Sequence, residues 1–276
     1  MQSEVREFEF DQRDFNRVRE VLYNAAGIKL ADSKDSMVYS RLARRLRVLK
    51  IPSFADYLQF LAENQQEVEH FVNGLTTNLT SFFREHHHFE ALYRYFQQAH
   101  GRQRIWCTAS STGEEAYSIA MCAAEAYRSL TPPVEILATD IDSNVLRTAM
   151  AGVYLQARIA DISPGRVKRF FFKGKGANEG KVKVVSELRD LIRFQRLNLT
   201  EGAWQGIEGP FDVVFCRNVM IYFDKPTQLR VLNRLAALLK DDGLYFAGHS
   251  ESFLNASALI KPIGKTVYRK VRTPSP

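Results

Sequence analysis

The run Ile105-Trp106-Cys107-Thr108-Ala109 passes directly into Ser110-Ser111-Thr112-Gly113-Glu114-Glu115, and a second apolar run, Val134 to Thr139, closes on Asp140. A strand, a loop with one glycine and a helix start, with an acidic residue ending the next strand, is the layout of a nucleoside site. A carboxylate in that position accepts hydrogen bonds from both ribose hydroxyls. A dinucleotide is the rival ligand. Its pyrophosphate asks for G-x-G-x-x-G and for a helix start without negative charge, whereas here only Gly113 is present and Glu114 and Glu115 open the helix. A ligand with a ribose, a positive charge and no phosphate suits this loop better, and S-adenosylmethionine, with its sulfonium, is such a ligand. Further along, the strand Phe211 to Cys216 is followed at once by Arg217 and Asn218, and then by an apolar run carrying Tyr222. Charged and amide groups at the carboxyl end of a strand point to a site, with an ordinary capped loop as the alternative.

Two histidine features invite other chemistry. His86-His87-His88 suggests a metal, but successive helical residues point about 100° apart, so three in a row do not converge on one ion and no metal is expected. His249, within Ala247-Gly248-His249-Ser250-Glu251, reads as a site wall or a structural residue rather than a catalytic base.

The elements that must position these residues alternate. After the strand at Ile105 come a helix from Glu114 to Tyr127, a strand from Val134, a helix from Ser143 to Ala151, strands at Ile192 to Leu199 and Phe211 to Cys216, a helix at Pro226 to Leu239 and a strand at Gly243 to Ala247. Such alternation predicts a doubly wound α/β domain with a parallel sheet. Residues from about Phe15 to Leu92 instead show apolar spacings of three and four throughout, which predicts an N-terminal all-α domain. Its expected extent is 1–90, with the α/β domain over 91–276. Within the latter, the stretch with Phe170-Phe171-Phe172, Gly174, Gly176, Gly180 and Val182 to Val185 breaks the alternation and predicts an inserted antiparallel β-subdomain at about 165–194.

The chain has 276 residues, 45% of them hydrophobic and 25% charged, which excludes disorder and low complexity and supplies core enough to stand without disulfide or metal. Cys107, Cys122 and Cys216 show no zinc spacing and suit a reducing, cytoplasmic setting. There is neither a signal-peptide stretch nor an apolar run long enough to span a membrane. The 38 Lys+Arg against 31 Asp+Glu give a net charge of +7, which favours an acidic partner: nucleic acid, an anionic surface or a protein. Much of it lies on one helix, Met37 to Lys50, where Val38, Leu42, Leu46 and Leu49 share one face while Arg41, Arg44, Arg45 and Arg47 add positive charge. A solvated face is the plain reading of such a run.

Several longer strings carry a resemblance. Thr76-Thr77-Asn78-Leu79-Thr80-Ser81-Phe82-Phe83-Arg84, Ser111-Thr112-Gly113-Glu114-Glu115, Thr139-Asp140-Ile141-Asp142, Phe215-Cys216-Arg217-Asn218-Val219-Met220-Ile221-Tyr222-Phe223 and Ala247-Gly248-His249-Ser250-Glu251 closely resemble the chemotaxis receptor methyltransferases, the CheR family. The likeness runs from about residue 10 to residue 270. It implies a Rossmann-like methyltransferase fold and transfer of methyl from S-adenosylmethionine, leaving S-adenosylhomocysteine, to glutamate γ-carboxylates on the cytoplasmic helical bundle of chemoreceptors. It also implies roles for residues. Asn78, Thr80, Arg84, Glu115, Asp140, Asn198, Leu199, Arg217 and Asn218 match the family's cofactor pocket, and Asn78 and Thr80 would otherwise read as a helix cap.

A glutamate carboxylate is ionised at neutral pH and needs no general base, so alignment is the remaining problem. Arg84 and Tyr222 are the expected residues at the reacting centre. Given a helical-bundle substrate, the Arg41, Arg44, Arg45, Arg47 stripe becomes the expected docking surface, and the β-subdomain can add a receptor tail peptide as an extra strand. A monomer without nucleic-acid partner or membrane insertion is expected. Two rival functions are a nucleic-acid methyltransferase, which lacks here the Asn/Asp-Pro-Pro-aromatic string after its strand, and a non-catalytic adaptor that binds receptor tails.

Overall fold

A computed structural model describes residues 6–251, 253 and 256–272, and the chain divides into two compact units. The helical unit comprises residues up to Thr77 together with Tyr222–Thr227. Its first helix, α1 (Gln12–Ala26), starts at a reciprocal cap: the Asp11 side chain accepts from the Arg13 and Asp14 N–H groups, and Asp14 accepts from the Asp11 N–H. It stops at Gly27, whose φ of 67° lies in the left-handed region that glycine adopts freely. Phe15, Val18, Leu22 and Ala26 are its buried stripe.

Helix α2 (Asp35–Leu49) buries Val38, Leu42, Ala43 and Leu46. Pro52 ends the preceding turn, and Ser53 caps α3 (Phe54–Glu63) by accepting from the Asp56 N–H. Asn64 then caps α4 (Gln65–Leu75) through the N–H groups of Gln66 and Glu67. Between α2 and α4 lies a buried ion pair: the Arg45 fork donates to both oxygens of Glu67 at 2.7 and 2.6 Å, and the Tyr57 hydroxyl donates to the same carboxylate at 2.9 Å. Arg41 closes the C-terminus of α4, donating to the carbonyls of Leu75 and Thr76 at 3.0 and 2.7 Å. Two of the four arginines of the basic helix are thus engaged in holding the helices together.

The α/β unit spans Asn78–Ile221 and Gln228 onward. In chain order it contains α5 (His87–Gln98), β1 (Gln103–Cys107), α6 (Glu114–Ala126), β2 (Val134–Asp140), α7 (Ser143–Ala151), β3 (Val153–Leu155), α8 (Pro164–Phe170), β4 (Phe171–Lys173), β5 (Lys181–Val184), α9 (Ser186–Arg189), β6 (Ile192–Arg196), β7 (Phe211–Cys216), α10 (Lys225–Leu238), β8 (Leu239–Ala247), β9 (Ile260–Gly264) and β10 (Val267–Lys270). The main sheet has the order β6-β2-β1-β7-β8-β10-β9. The strands from β6 to β8 are mutually parallel, and β10 and β9 are added antiparallel. Strand β1 has β2 on one side and β7 on the other, so the topological switch, and with it the ligand crevice, falls at the carboxyl end of β1. Among the described residues no helix is long and apolar enough to cross a membrane.

The structure differs from the sequence reading in three places. The antiparallel edge replaces an all-parallel sheet: residues 260–270 turn back at Thr266, whose φ is 55°, and pair within a few residues, too short a span to show a period. The β-subdomain is three-stranded, in the order β3-β5-β4, because Val153–Leu155 pairs with β5 from outside the expected 165–194. Three residues cannot display an alternation. Finally, the units divide between Thr77 and Asn78 rather than near residue 90, since Phe82, Phe83, Phe89, Leu92 and Phe96 are all buried in the core of the α/β unit. Their helical spacing gave no sign of which core they join.

Candidate active site

Four strand ends meet around the switch. The loop after β1 is held by a tight turn at Ser111, with φ of 48°, and by Gly113, with φ of 96°. A Cβ on Gly113 would stand 2.8 Å from the Ala149 Cβ, so the single glycine of the loop is required for close approach of α6 to α7. Asp140, at the end of β2, is 7% exposed. One of its oxygens accepts from the Ser111 N–H at 2.8 Å and the other from the Asp142 N–H at 3.0 Å. Burial raises its pKa to about 6, with the N–H groups of Asp142, Ser111 and Ile141 opposing that rise. Asp142 caps α7 through Asn144 and also accepts from the Asn78 side-chain amide at 2.8 Å. The Ser111 hydroxyl donates to the Asn78 carbonyl at 3.0 Å. Asn78, Ser111, Asp140 and Asp142 therefore form one polar wall.

Thr80 stands on the same incoming segment. Its carbonyl accepts from Arg158 at 2.9 Å, and Arg158 also pairs with the fully buried Glu114. The neighbouring Glu115 is 9% exposed and accepts from the Cys107 thiol at 3.2 Å and from the Arg217 guanidinium. Both glutamates at the helix start are thus paired with arginine, at the end of the helix where the macrodipole favours negative charge. A pyrophosphate has no opening in such a loop.

Arg217 begins the loop after β7 with a side chain only 1% exposed. One terminal nitrogen donates to Glu115; the other donates to the Arg84 carbonyl at 2.6 Å and lies 3.6 Å from a carboxylate oxygen of Glu85. Asn218 follows with φ of 57°, against Gly248, where a Cβ would fall 2.5 Å from the Asn218 side-chain amide. The buried Glu251 fixes this turn, accepting from the N–H groups of Val219 and Met220 at 3.0 and 2.9 Å. Burial raises the pKa of Glu251. After β6, Asn198 accepts from the Thr200 N–H at 3.0 Å and the Thr200 hydroxyl at 2.8 Å, a local turn that turns the chain back, while Leu199 is buried.

Arg84 is half-buried and donates to the Leu79 carbonyl at 3.0 Å. It sits between two non-glycine residues in the left-handed region, Phe83 with φ of 53° and Glu85 with φ of 58°. Each such residue costs about 1–3 kcal/mol and persists only where its surroundings hold it. Tyr222 belongs to the helical unit, where its carbonyl accepts from the Lys29 N–H at 2.8 Å.

The histidines divide. His86 is exposed, whereas His88 is fully buried, with Nε2 2.7 Å from the Thr266 hydroxyl. Burial and the Arg217 charge drive its pKa down to about 2. Glu85, His87 and His88 bring ligand-type atoms within 4.8 Å of one another. The convergence comes from Glu85 on the preceding turn, which the expectation from three consecutive histidines did not consider. Arg217, 3.6 Å from the Glu85 carboxylate, opposes a dication at that point. His249 is exposed, and its N–H donates to Glu85 at 3.2 Å.

The residues that sequence reasoning left out are Glu85, Ser111, Asp142, Arg158 and Glu251. Ser111, Asp142 and Glu251 stand inside the strings quoted above, so a signal was present. For Glu85 and Arg158 none existed, because their role depends on partners distant in the chain. The wall at Asp140 and the acidic start of α6 fit a ribose and a cation without phosphate, as S-adenosylmethionine requires.

Comparison with known proteins agrees with that chemistry. Residues 13–76 match the CheR methyltransferase all-alpha domain, and residues 78–269 match the CheR methyltransferase SAM binding domain. Chemotaxis protein methyltransferase 2 of Pseudomonas aeruginosa is 53% identical over 265 residues, covering 95% of this chain and 94% of that protein. The chemotaxis protein methyltransferases of Salmonella typhimurium and Escherichia coli are 47% and 46% identical, each over 92% of this chain and 88% and 89% of their own lengths. A nucleoside wall at the switch point and relatives matched over nearly their full length lead to one conclusion: the chain belongs to the CheR methyltransferase family, S-adenosylmethionine-dependent enzymes of chemotaxis.

Proposed function

We propose that the chain methylates glutamate γ-carboxylates on the cytoplasmic helical bundle of chemoreceptors. The observation that carries this reading is the type of the basic groups around the switch. Arg84 and Arg217 are guanidiniums, which orient a carboxylate but do not take a proton from it, and the buried His88 is held neutral. Such a site suits a nucleophile that arrives already ionised. S-adenosylmethionine supplies the electrophilic methyl on its sulfonium, and a substrate carboxylate takes it by in-line displacement to give a methyl ester.

In this reading Asp140 receives the ribose hydroxyls and Glu115 the cationic end of the cofactor, with Asn78, Thr80, Asn198, Leu199, Arg217 and Asn218 completing the pocket. Arg84 and Tyr222 orient the reacting groups. Of the basic helix, Arg44 and Arg47 are exposed, Arg47 also pairing with Glu7 at 2.7 Å, and carry the docking role. Arg41 and Arg45, engaged with the α4 carbonyls and Glu67, support that surface from behind. A receptor tail can add to the β-subdomain, where Leu155 and Phe172 are exposed. The setting is the cytoplasm, as three buried free thiols suit a reducing compartment, and the enzyme acts as a monomer.

The form of the nucleic-acid alternative that methylates a pyrimidine ring carbon is disfavoured by Cys216, since that chemistry needs a thiolate nucleophile and burial pushes this thiol up to about 12. The direct test is incubation with labelled S-adenosylmethionine and receptor followed by mild base. Glutamyl methyl esters release the label; label stable to base, or no transfer at all, would refute the assignment.

Two further outcomes follow from the site. The paired change Arg44→Glu with Arg47→Glu is expected to raise KM for the receptor about ten-fold with unchanged cofactor affinity, since exposed charges act mainly on encounter; equal loss of both affinities would refute docking there. Cofactor affinity depends on the ionised form of Asp140, because hydroxyl donors need the carboxylate. The pKa of about 6 places the loss below that pH, so calorimetric affinity is expected to be flat from pH 7 to 8.5 and to fall about ten-fold by pH 5. No change across that range would exclude Asp140 from the ribose contact.

A further inference from the structure

We infer that Glu85 is a positioning residue for methyl transfer, acting through Arg84. This rests on the proposed placement of Arg84 at the reacting centre and adds a residue to which that reading gives no role. Glu85 lies at a junction of three chain segments. Its two carboxylate oxygens face Arg217, 3.6 Å away at the end of β7, and the His249 N–H, 3.2 Å away beyond β8. Its backbone is in the left-handed region, as is that of Phe83, so Arg84 stands between two conformations that side chains seldom adopt.

Arg217 further accounts for that arrangement, because the nitrogen nearest Glu85 also donates to the Arg84 carbonyl at 2.6 Å. On the other side, the Phe83 N–H donates to the Ser118 hydroxyl of α6 at 2.9 Å. Arg84 is thus pinned on both flanks, while its own half-buried guanidinium donates to the Leu79 carbonyl at 3.0 Å.

If Glu85 acts by placing Arg84, its effect disappears once Arg84 is gone. The experiment is a double-mutant cycle on receptor methylation at saturating S-adenosylmethionine, using Arg84→Ala, Glu85→Gln and the pair, with thermal unfolding measured for each. The expected result is a fall in kcat of about ten-fold for Arg84→Ala and about five-fold for Glu85→Gln, with less than about two-fold further loss when Glu85→Gln is added to Arg84→Ala. Equal losses in both backgrounds, or no loss from Glu85→Gln alone, overturn the inference while leaving the role of Arg84 standing. Near-normal turnover of Arg84→Ala overturns the assignment of Arg84 itself, and the inference with it. Should Glu85→Gln fail to fold, Glu85→Asp, which keeps the charge on a shorter stem, carries the same cycle. Failure of both to fold would assign Glu85 to stability and overturn the positioning role.

Discussion

The α/β unit is organised around one buried guanidinium. Arg217 is withdrawn from water almost completely, and an arginine so placed is tolerable only if its charge is compensated. Its two terminal nitrogens are met by Glu115 at the start of α6, by the carbonyl of Arg84 and by the nearby carboxylate of Glu85, while its Nε has no hydrogen-bond partner among the described residues. The partners come from two segments of chain, residues 84–85 and the start of α6, so the electrostatic requirement of one side chain fixes the relative positions of the incoming loop, the helix start and the end of β7. The planar fork of arginine makes this possible; a lysine would offer a point charge without the fixed angle between its donors.

From that constraint the pocket follows. Glu115, neutralised on one side by Arg217, keeps an acidic character at a helix start where a phosphate-binding loop would need the opposite. Asp140 is held by backbone N–H groups in a buried setting that raises its pKa to about 6. The same withdrawal from water raises Cys107, Cys122 and Cys216, leaving the thiols as packing groups rather than nucleophiles. A site of arginines and shielded carboxylates is the arrangement that the proposed transfer of methyl to an ionised acid calls for.

Much of this was legible in the amino-acid order. The α7 stretch carries helical periodicity, and α6 and the strand ending at Asp140 are bounded by clear end signals, so their placement depends on local rules. Asp140, Arg217 and Asn218 could be read from position alone, because groups at the carboxyl ends of parallel strands face the crevice. Glu85 could not, since its meaning lies in partners at 217 and 249. The charge of the chain shows the same limit. The basic run from Arg41 to Lys50 reads as a single stripe, but Arg41 is a helix cap and Arg45 is half of a buried ion pair with Glu67. Periodicity tells which face of a helix is polar, not which polar groups are already occupied.

The account turns on Arg217 acting as a clamp in the protein before any cofactor binds. Amide hydrogen exchange of the cofactor-free Arg217→Lys variant tests this most directly, since a role limited to touching the cofactor would leave the unliganded protein unchanged. Faster exchange is expected across residues 81–88 and at the start of α6, with β1, β2 and β7 as protected as before. Unaltered exchange in both of those segments would contradict the clamp.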